Sequence, residues 1–339
     1  MSIHHPYWTG SSTQPAPPPL RIPSSIDVVD KGDKYLKLHA GKWGAHFDNG
    51  IKGPAPQWEV EAETGMKFND SFFQLLMLEV TGEHNLVDIR ISQGHWSNDD
   101  GKILVTSDPL AGDIDIVSIA NTIIKPTDQT AHKILDEMIA DHRKQGTVQS
   151  YFSKGQSNVC VEVCTNICTF FYTYNRGDQI PLMLHYILAK LKNKEETRTQ
   201  YYLSPEPFFY YCLRLLTCSN APELADMREA LRDRVQERIG KDMDNALRVA
   251  IRVLICQKLH IPNAEDLKAL LALQQDDGGF GVGWFFRFGK SEIRIGHRGL
   301  TASLAMKAIK EAVKRDDVVV EKEEKEVKGS SSWFGGMFG

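Results

Sequence analysis

Leu271-Ala-Leu-Gln-Gln-Asp-Asp-Gly-Gly-Phe-Gly-Val-Gly-Trp284 is the stretch that decides the fold, and Ile295-Gly-His-Arg-Gly-Leu-Thr-Ala-Ser-Leu-Ala305 follows it closely. In the first segment a helical pattern ends in a turn that is rich in glycine and aromatic residues. In the second, His and Arg stand at the start of a helix whose small residues let a neighbouring helix approach closely. Together the two segments predict closely packed helices joined by a Gly-rich turn.

A similar turn occurs near the other end of the helical region. Gln93-Gly-His-Trp-Ser-Asn-Asp-Asp-Gly101 and Gln275-Asp-Asp-Gly-Gly-Phe280 both place Gln, Gly and an aromatic residue in one short turn before an apolar helix. Self-similarity of this kind indicates an architecture built from repeated helix pairs.

Apolar helical patterns alternate with amphipathic, charge-faced ones from residue 68 onward. This alternation is expected for an inner ring of helices wrapped by an outer ring, so we predict an all-α fold, an α/α barrel (toroid). No strand pattern competes well, and the best candidate, Lys102-Ile-Leu-Val-Thr106, is short. The predicted helices are 72–80, 114–124, 127–145, 158–174, 181–194, 205–218, 222–239, 243–259, 267–275 and 300–312.

Three regions follow from the composition along the chain. Residues 1–67 read as a Pro-rich N-terminal arm and loops that pack on the barrel, because Pro15-Ala-Pro-Pro-Pro19 favours an extended chain. Residues 68–313 form the helical toroid. Residues 314–339 form a charged tail that ends in glycine and aromatic residues.

The composition disfavours several classes of partner. With 44 acidic against 40 basic residues, the net charge is −4 and no basic block stands out, which disfavours nucleic acid. No apolar run approaches the roughly 18–20 residues of a membrane span. The six cysteines lie in apolar helical patterns rather than in a disulfide framework. We therefore expect a cytoplasmic protein with no secretory signal, and the oligomeric state stays open.

One predicted helix carries oxygen and sulfur side chains on separate faces. Asn158, Glu162 and Asn166 are spaced four apart and share a face, and a buried acid there needs a partner or a metal. Hard oxygen ligands suit Mg²⁺, whereas a polar network that only pins helices together is the alternative. On the other face Cys160, Cys164 and Cys168 indicate packing rather than a zinc site.

Two acids open the helix of residues 114–124. Asp113 and Asp115 are either ordinary helix N-terminal acids or a metal-binding or catalytic pair at the mouth of a cavity. Both interpretations stay open from the residues alone.

A basic segment lies beside the Gly-rich turn. Lysine and arginine side chains at a helix start bind phosphate well, and a solvated surface loop is the alternative. Aromatic neighbours at Trp284, Phe285, Phe286 and Phe288 favour the rim of a cavity. The basic residues are Arg287, Lys290, Arg294, His297 and Arg298.

Aromatic side chains are concentrated in the middle of the chain, around Phe170 and Phe209. Ring faces stabilise cations, so these rings could line an apolar cavity that holds a carbocation. Ordinary packing of helices is the alternative for each ring taken singly.

Residues 68–313 resemble the terpene cyclase and protein prenyltransferase toroids through the two Gln-aromatic turns, the acids of Asp113-Ile-Asp-Ile116 and the basic segment. The nearest likeness is to the atypical fungal sesquiterpene cyclases that make humulene for tropolone sesquiterpenoids. That resemblance implies ionisation of farnesyl diphosphate with Mg²⁺ and an essential lysine, which matches Lys290. It also implies that Phe286 controls the product, although an aliphatic residue is usual there.

Other motifs of the superfamily match only in part. Asp113-Ile-Asp-Ile116 resembles the Asp-x-Asp-Asp element of proton-initiated cyclases, with Ile116 in place of the last acid. The metal-binding motifs of ordinary class I terpene synthases are not evident.

The leading hypothesis is a class I sesquiterpene synthase with a prenyl diphosphate substrate, in which Lys290 and Asp115 are catalytic. The Mg²⁺ ligands in this hypothesis are Asp113, Asp115, Glu162 and Asn166. The diphosphate-binding residues are Lys290, Arg294, Arg298, His297 and Arg287. The residues that shape the cavity and the product are Phe286, Trp284, Phe170 and Phe209. A proton-initiated class II cyclase using Asp113 or Asp115, and a non-catalytic prenyl-binding toroid, are the alternatives.

Overall fold

The structure is a computed structural model, which describes residues 25–40, 60–65, 67–68, 71–87, 89, 114–145, 160–195, 201–287 and 292–331. Helices dominate these ranges, and the four strands are short. The elements are α1 (Ser25–Ala40), β1 (Val60–Ala62), β2 (Lys67–Phe68), α2 (Ser71–Thr81), α3 (Ile114–Ile124), α4 (Asp128–Gln145), α5 (Val161–Thr173), α6 (Pro181–Lys192), α7 (Glu206–Cys218), α8 (Ala225–Gln236), α9 (Ala246–Lys258), α10 (Ala264–Ala272), β3 (Trp284–Arg287), β4 (Arg294–Gly296) and α11 (Arg298–Ser331).

Six helices close into a ring. In the order α2, α3, α5, α7, α9 and α11, each packs against the next, and α11 packs back against α2. Helices α1, α6, α8 and α10 lie outside this ring, against one or two of its members. The predicted all-α class is confirmed, and the ring follows the predicted alternation of apolar inner and amphipathic outer helices.

Helices α2 and α3 end where the sequence predicts, whereas α11 continues to Ser331, beyond the predicted end at residue 312. The backbone of Gly82 has a φ of +70° and its N–H donates to Leu78 O at 2.7 Å, so a left-handed glycine ends α2. Helix α3 ends at Ile124 because Pro126 cannot continue it. Helix α4 buries Ala131, Ile134, Leu135 and Met138 on one stripe, as expected of an amphipathic helix.

A small antiparallel sheet was not predicted. Its strand order is β2-β1-β4-β3, and Glu61 pairs with Gly296 while Phe286 pairs with Ile295. The strands are only two to four residues long, which leaves too little alternation for a periodic signal. The candidate strand at 102–106 lies outside the described residues.

The described part of the N-terminal region contains a helix and short strands, where the composition predicts an arm and loops. Helix α1 buries Tyr35 and Leu36 and packs on α11, and β1 is an inner strand of the sheet. Gln274 ties α1 to the Gly-rich turn by donating to Val28 O at 2.8 Å. The Pro-rich residues 1–24 and the end of the tail, 332–339, lie outside the described residues.

In the part of the chain that the structure describes, no helix is both long and apolar enough to cross a bilayer.

A buried ion pair joins three helices on one side of the ring. The Arg252 guanidinium on α9 donates to both oxygens of Asp266 on α10, at 2.9 and 3.0 Å, and to Glu206 of α7 at 3.2 Å. All three side chains are fully buried. Removing one partner of such a pair leaves an uncompensated charge in the core.

We therefore expect Arg252→Ala to lower the free energy of unfolding by about 3–5 kcal/mol, measured by urea denaturation. Lys192→Ala is the control, because Lys192 pairs with Asp226 at 3.0 Å on an exposed surface and its loss should cost less than about 1 kcal/mol. Equal effects of the two substitutions would contradict a special role for the buried pair.

Candidate functional site

Asp115 lies in the first turn of α3 and is 6% exposed, inside the ring of helices. Its Oδ1 accepts a hydrogen bond from Asn166 Nδ2 of α5 at 2.8 Å. Burial raises the pKa of Asp115 to about 6, against the smaller lowering effects of the Asn166 hydrogen bond and the Arg214 charge. A carboxyl group in this setting holds its proton in mildly acidic solution.

A chain of polar contacts leads away from Asp115 across the ring. The buried guanidinium of Arg214 on α7 donates from Nη1 to Asn166 Oδ1, and from Nε to both carboxylate oxygens of Glu79 on α2, at 2.9 and 2.7 Å. Tyr210 also donates to Glu79, at 3.3 Å. The Arg214 charge is therefore neutralised by Glu79, while its other side holds the amide that contacts Asp115.

An aromatic cluster is formed by residues of α2, of α7 and the segment just before it, and of β3. The rings of Phe73 and Phe286 stack at 5.4 Å, Tyr202 contacts Phe285 edge-on at 5.7 Å, and the Tyr202 and Tyr211 hydroxyls are 3.2 Å apart. The cluster consists of Phe72, Phe73, Tyr202, Tyr211, Phe285 and Phe286.

Asp115 lies close enough to this cluster to act on it electrostatically. Burial raises the pKa of Tyr202 and of Tyr211 well above the usual range, and the charge of Asp115 raises both further. Both phenols therefore stay protonated over the ordinary pH range. The site thus places buried carboxyl groups, Asp115 and also Glu162, near neutral aromatic rings.

Glu162 and Asn166 share a face of α5, as their spacing predicts, and both are fully buried. Glu162 Oε2 accepts from the Cys160 thiol at 2.7 Å. Cys164 and Cys168 are buried in the packing of α5, and burial raises the pKa of Cys164 to about 12. The predicted packing role of these thiols agrees with their burial.

The donor set does not fit a magnesium ion well. Among the described residues no group of three or more His, Cys, Asp or Glu side chains is placed to hold a metal. The amide oxygen of Asn166, which would be its metal-binding atom, is engaged by the cationic Arg214. Magnesium is bound through oxygen atoms, commonly of one or two carboxylates together with water and substrate phosphates, and a neighbouring guanidinium charge repels it. Asp113 lies outside the described residues, and magnesium binding stays a prediction that the described donors do not favour.

The predicted diphosphate-binding residues fall in different surroundings. Arg294 pairs with Glu63 at 2.5 Å, and its guanidinium lies 5.1 Å from the centre of the Trp284 ring. Arg287 Nε lies 3.6 Å from a carboxylate oxygen of the exposed Glu292. Lys290 lies outside the described residues.

Arg298 and His297 shape the start of α11. Arg298 donates to Phe280 O at 2.7 Å and to Gln275 and Asp277, so it fastens the Gly-rich turn to the helix. His297 is buried, and its Nδ1 accepts from Leu300 N at 3.0 Å, which caps the helix. Burial lowers the pKa of His297 to about 3, so it is neutral and does not supply the cation that the prediction assigns to it.

The four residues predicted to shape a cavity divide into two groups. Phe286 belongs to the aromatic cluster, and Trp284 lies beside it on β3. Phe170 instead meets Tyr174 edge-on at 5.5 Å, and Phe209 lies under the Arg234 guanidinium of the outer helix α8 at 5.8 Å. Phe209 therefore packs between α7 and α8, whereas Phe170 packs against the end of its own helix, α5.

Comparison with known proteins finds similarity to one family over part of the chain. Residues 29–174, which contain Glu79, Asp115 and Asn166, match the family described as the sesquiterpene cyclase astC-like C-terminal domain. The drimenol cyclase drtB of Aspergillus calidoustus is 29% identical over 248 residues, which cover 73% of this chain and 47% of that protein. The chain is therefore similar to a fungal terpene cyclase over most of its length. It spans about half the length of the curated relative that it matches.

Solved structures support the fold of this chain. A protein from Actinoplanes superposes with a TM-score of 0.57 at 13% identity, covering 85% of this chain and 99% of the other. A possible member of the GH105 family from Klebsiella pneumoniae gives 0.50 at 11% identity, covering 93% and 100%. At these identities the likeness concerns the fold alone. Neither the astC-like family nor the drimenol cyclase is described as making humulene, so that finer resemblance stays a prediction.

Sequence reasoning missed the residues that surround the acid. Arg214 and Glu79 escaped it, although each is the single charged side chain in an otherwise apolar stretch of its helix. A lone charge in a buried helix needs a partner, and this signal could have found the pair. The tyrosines entered only as part of a general aromatic density.

The raised pKa of Asp115 predicts a stability difference that depends on pH. Because the folded protein binds this proton more tightly than the unfolded chain, Asp115 loses stabilising effect as the pH rises from about 4 to about 6. The unfolding free energy of the wild type, relative to Asp115→Asn, should fall by ~2–3 kcal/mol between pH 4 and pH 8.

Chemical denaturation at both pH values measures this difference. Asp128→Asn is the matched control, because Asp128 is an exposed acid in the first turn of α4. A difference between wild type and Asp115→Asn that does not change with pH would contradict the buried, protonated acid.

Proposed function

We propose that this chain is a terpene cyclase that starts cyclisation by protonating a double bond of a prenyl diphosphate, with Asp115 as the general acid. The observation that carries this proposal is a buried carboxyl group with a pKa of about 6 beside an aromatic cluster. The relative named drimenol cyclase also favours proton-initiated cyclisation.

In the first step the Asp115 carboxyl gives its proton to an alkene carbon of the substrate. The π electrons of the alkene form the new C–H bond, the adjacent carbon becomes cationic, and Asp115 is left as a carboxylate. The Asn166 hydrogen bond and the Arg214 charge both stabilise that carboxylate, because both lower its pKa.

The ring faces then act on the carbocation. The quadrupoles of the aromatic cluster attract a cation, and a site closed to water protects the cation from early capture. An internal alkene attacks the cationic carbon and closes the ring. Loss of a proton to a base ends the sequence, and the diphosphate is kept throughout.

Ionisation of farnesyl diphosphate is the other reaction that the family resemblance implies. It relies on Lys290 and Asp113, both outside the described residues, and on magnesium, which the described donors do not favour. We therefore place it second, with a humulene-type product as its specific form.

The test is incubation of the purified chain with farnesyl and geranylgeranyl diphosphates, followed by mass spectrometry and a pyrophosphate assay. We expect a cyclised product that keeps its diphosphate, without release of pyrophosphate. Release of pyrophosphate with a cyclic hydrocarbon or alcohol would support ionisation instead, and inactivity on both substrates would contradict both reactions.

Asp115→Asn should lower kcat by ~10²–10⁴-fold, because an amide cannot donate this proton. In the wild type the rate should fall as the pH rises through about 6, since only the protonated acid reacts. Asp128→Asn should leave both the rate and its pH profile unchanged. An active Asp115→Asn variant would rule out Asp115 as the acid.

A further inference from the structure

Arg214 is a buried cation that is linked to the acid site through one intermediate. Its side chain is 4% exposed and its Nη1 contacts the amide of Asn166, which in turn contacts Asp115. Four helices of the ring, α2, α7, α5 and α3, each contribute one residue to this line of contacts, which begins at Glu79.

The chemistry of the two neighbours fixes the orientation of the Asn166 amide. A guanidinium has only donors, so it must meet the amide oxygen, whereas the contact with Asp115 is made by the amide nitrogen at 2.8 Å. If Arg214 were absent, the amide could rotate and present its oxygen to Asp115. That rotation would exchange a donor for an acceptor beside the reacting carboxyl group.

Arg214 is itself held by the two oxygens of Glu79, at 2.9 and 2.7 Å from Nε. Glu79 is a quarter exposed, so the pair is anchored at the border of the ring. Glu79 on α2 therefore fixes the position of Arg214, and Arg214 fixes the orientation of the Asn166 amide. This arrangement does not add a group that reaches the substrate.

We propose that Arg214 is a positioning residue that acts on Asp115 through Asn166, by holding the amide so that its N–H₂ group faces the acid. Glu79 supports this function by fixing the guanidinium. The catalytic part of this role rests on the proposed function of Asp115 as the acid. A brace that only ties α7 to α2 is the structural alternative.

A double-mutant cycle separates these roles. We expect Arg214→Gln and Asn166→Leu each to lower kcat by about 10- to 100-fold with little change in KM, because misplacement of a reacting group acts on the chemical step. The double variant should be no slower than the slower single variant, since both substitutions remove the same effect. Arg214→Lys should recover part of kcat.

The matched control is Arg234→Gln, because Arg234 is a similarly buried arginine on the outer helix α8. It should change kcat per folded molecule by less than about twofold. Multiplicative effects of Arg214→Gln and Asn166→Leu would overturn the proposal, as would a kcat that is unchanged once the folded fraction is measured by circular dichroism.

A measurement on the protein alone keeps this inference separate from the proposed reaction. The protein is labelled with ¹⁵N-asparagine, and the side-chain amide signals of Asn166 are assigned as those that disappear in Asn166→Leu. They should exchange slowly with solvent in the wild type and rapidly in Arg214→Gln. Unchanged exchange would overturn the positioning role.

The combined outcomes distinguish the two proposals. If the wild type makes no cyclised diphosphate but the amide protons respond to Arg214→Gln, the proposed reaction fails and the positioning of Asn166 stands. If Arg214→Gln does not fold, Glu79→Gln loosens the same guanidinium and should accelerate amide exchange in the same direction; no acceleration there would overturn the proposal.

Discussion

A carboxyl group inside a ring of apolar helices is costly to ionise, and the centre of this molecule is organised by that constraint. Asp115 meets it by holding its proton more tightly than an ordinary carboxyl group, because burial raises its pKa to about 6. Arg214 meets the opposite constraint, because a guanidinium does not lose its charge and so requires an anion. Glu79 supplies that anion at the border of the ring. Asn166 stands between the two groups and can satisfy both, since an amide is donor and acceptor at once.

The placement of the aromatic cluster depends on the turn at the end of α10. Arg298 holds Gln275 and Asp277, and Gly278 adopts a φ of +87° where a Cβ would lie 2.3 Å from the Lys31 carbonyl oxygen. Only glycine fits that approach, so α1 presses directly on the turn. The turn leads into β3, which carries two rings of the aromatic cluster. The N-terminal helix thus helps to place rings that are far away in sequence.

Periodicity was enough to predict the helices but not their internal contacts. The apolar runs around Phe72 and Ile114 bounded α2 and α3 correctly, because glycine and proline end helices for local reasons. The sheet escaped, since its strands are short and β1 pairs with a strand more than two hundred residues away. Likewise, the sequence of the basic segment predicts one phosphate-binding site, whereas Arg294 and Arg298 each pair with a different acid in the fold.

The acid site was predicted in part for a physical reason. Asp115 and Asn166 stand out in the sequence because polar side chains in apolar helices must find partners, and the structure brings them to 2.8 Å. The sequence around Asp115 and Asn166 does not reveal that the third member of this group is Arg214. Asn166 could have held a metal ion with Asp115, as oxygen donors often do, or it could have met another side chain. Arg214 lies on α7, and its positive charge changes the chemistry of the Asp115–Asn166 pair.

That charge distinguishes the two ways of making a carbocation. A site that ionises a diphosphate must gather cations around the leaving group, and it needs carboxylates that stay charged to hold them. A site that protonates an alkene needs the reverse, a carboxyl group that keeps its proton until the substrate arrives and a cation that stabilises the carboxylate afterwards. Asp115 has the second set of properties, with Arg214 acting on it indirectly through Asn166. Glu79 limits the effect of the Arg214 charge on Asp115. A guanidinium without this counter-ion would lower the pKa of Asp115 further, and the acid would lose its proton before the reaction.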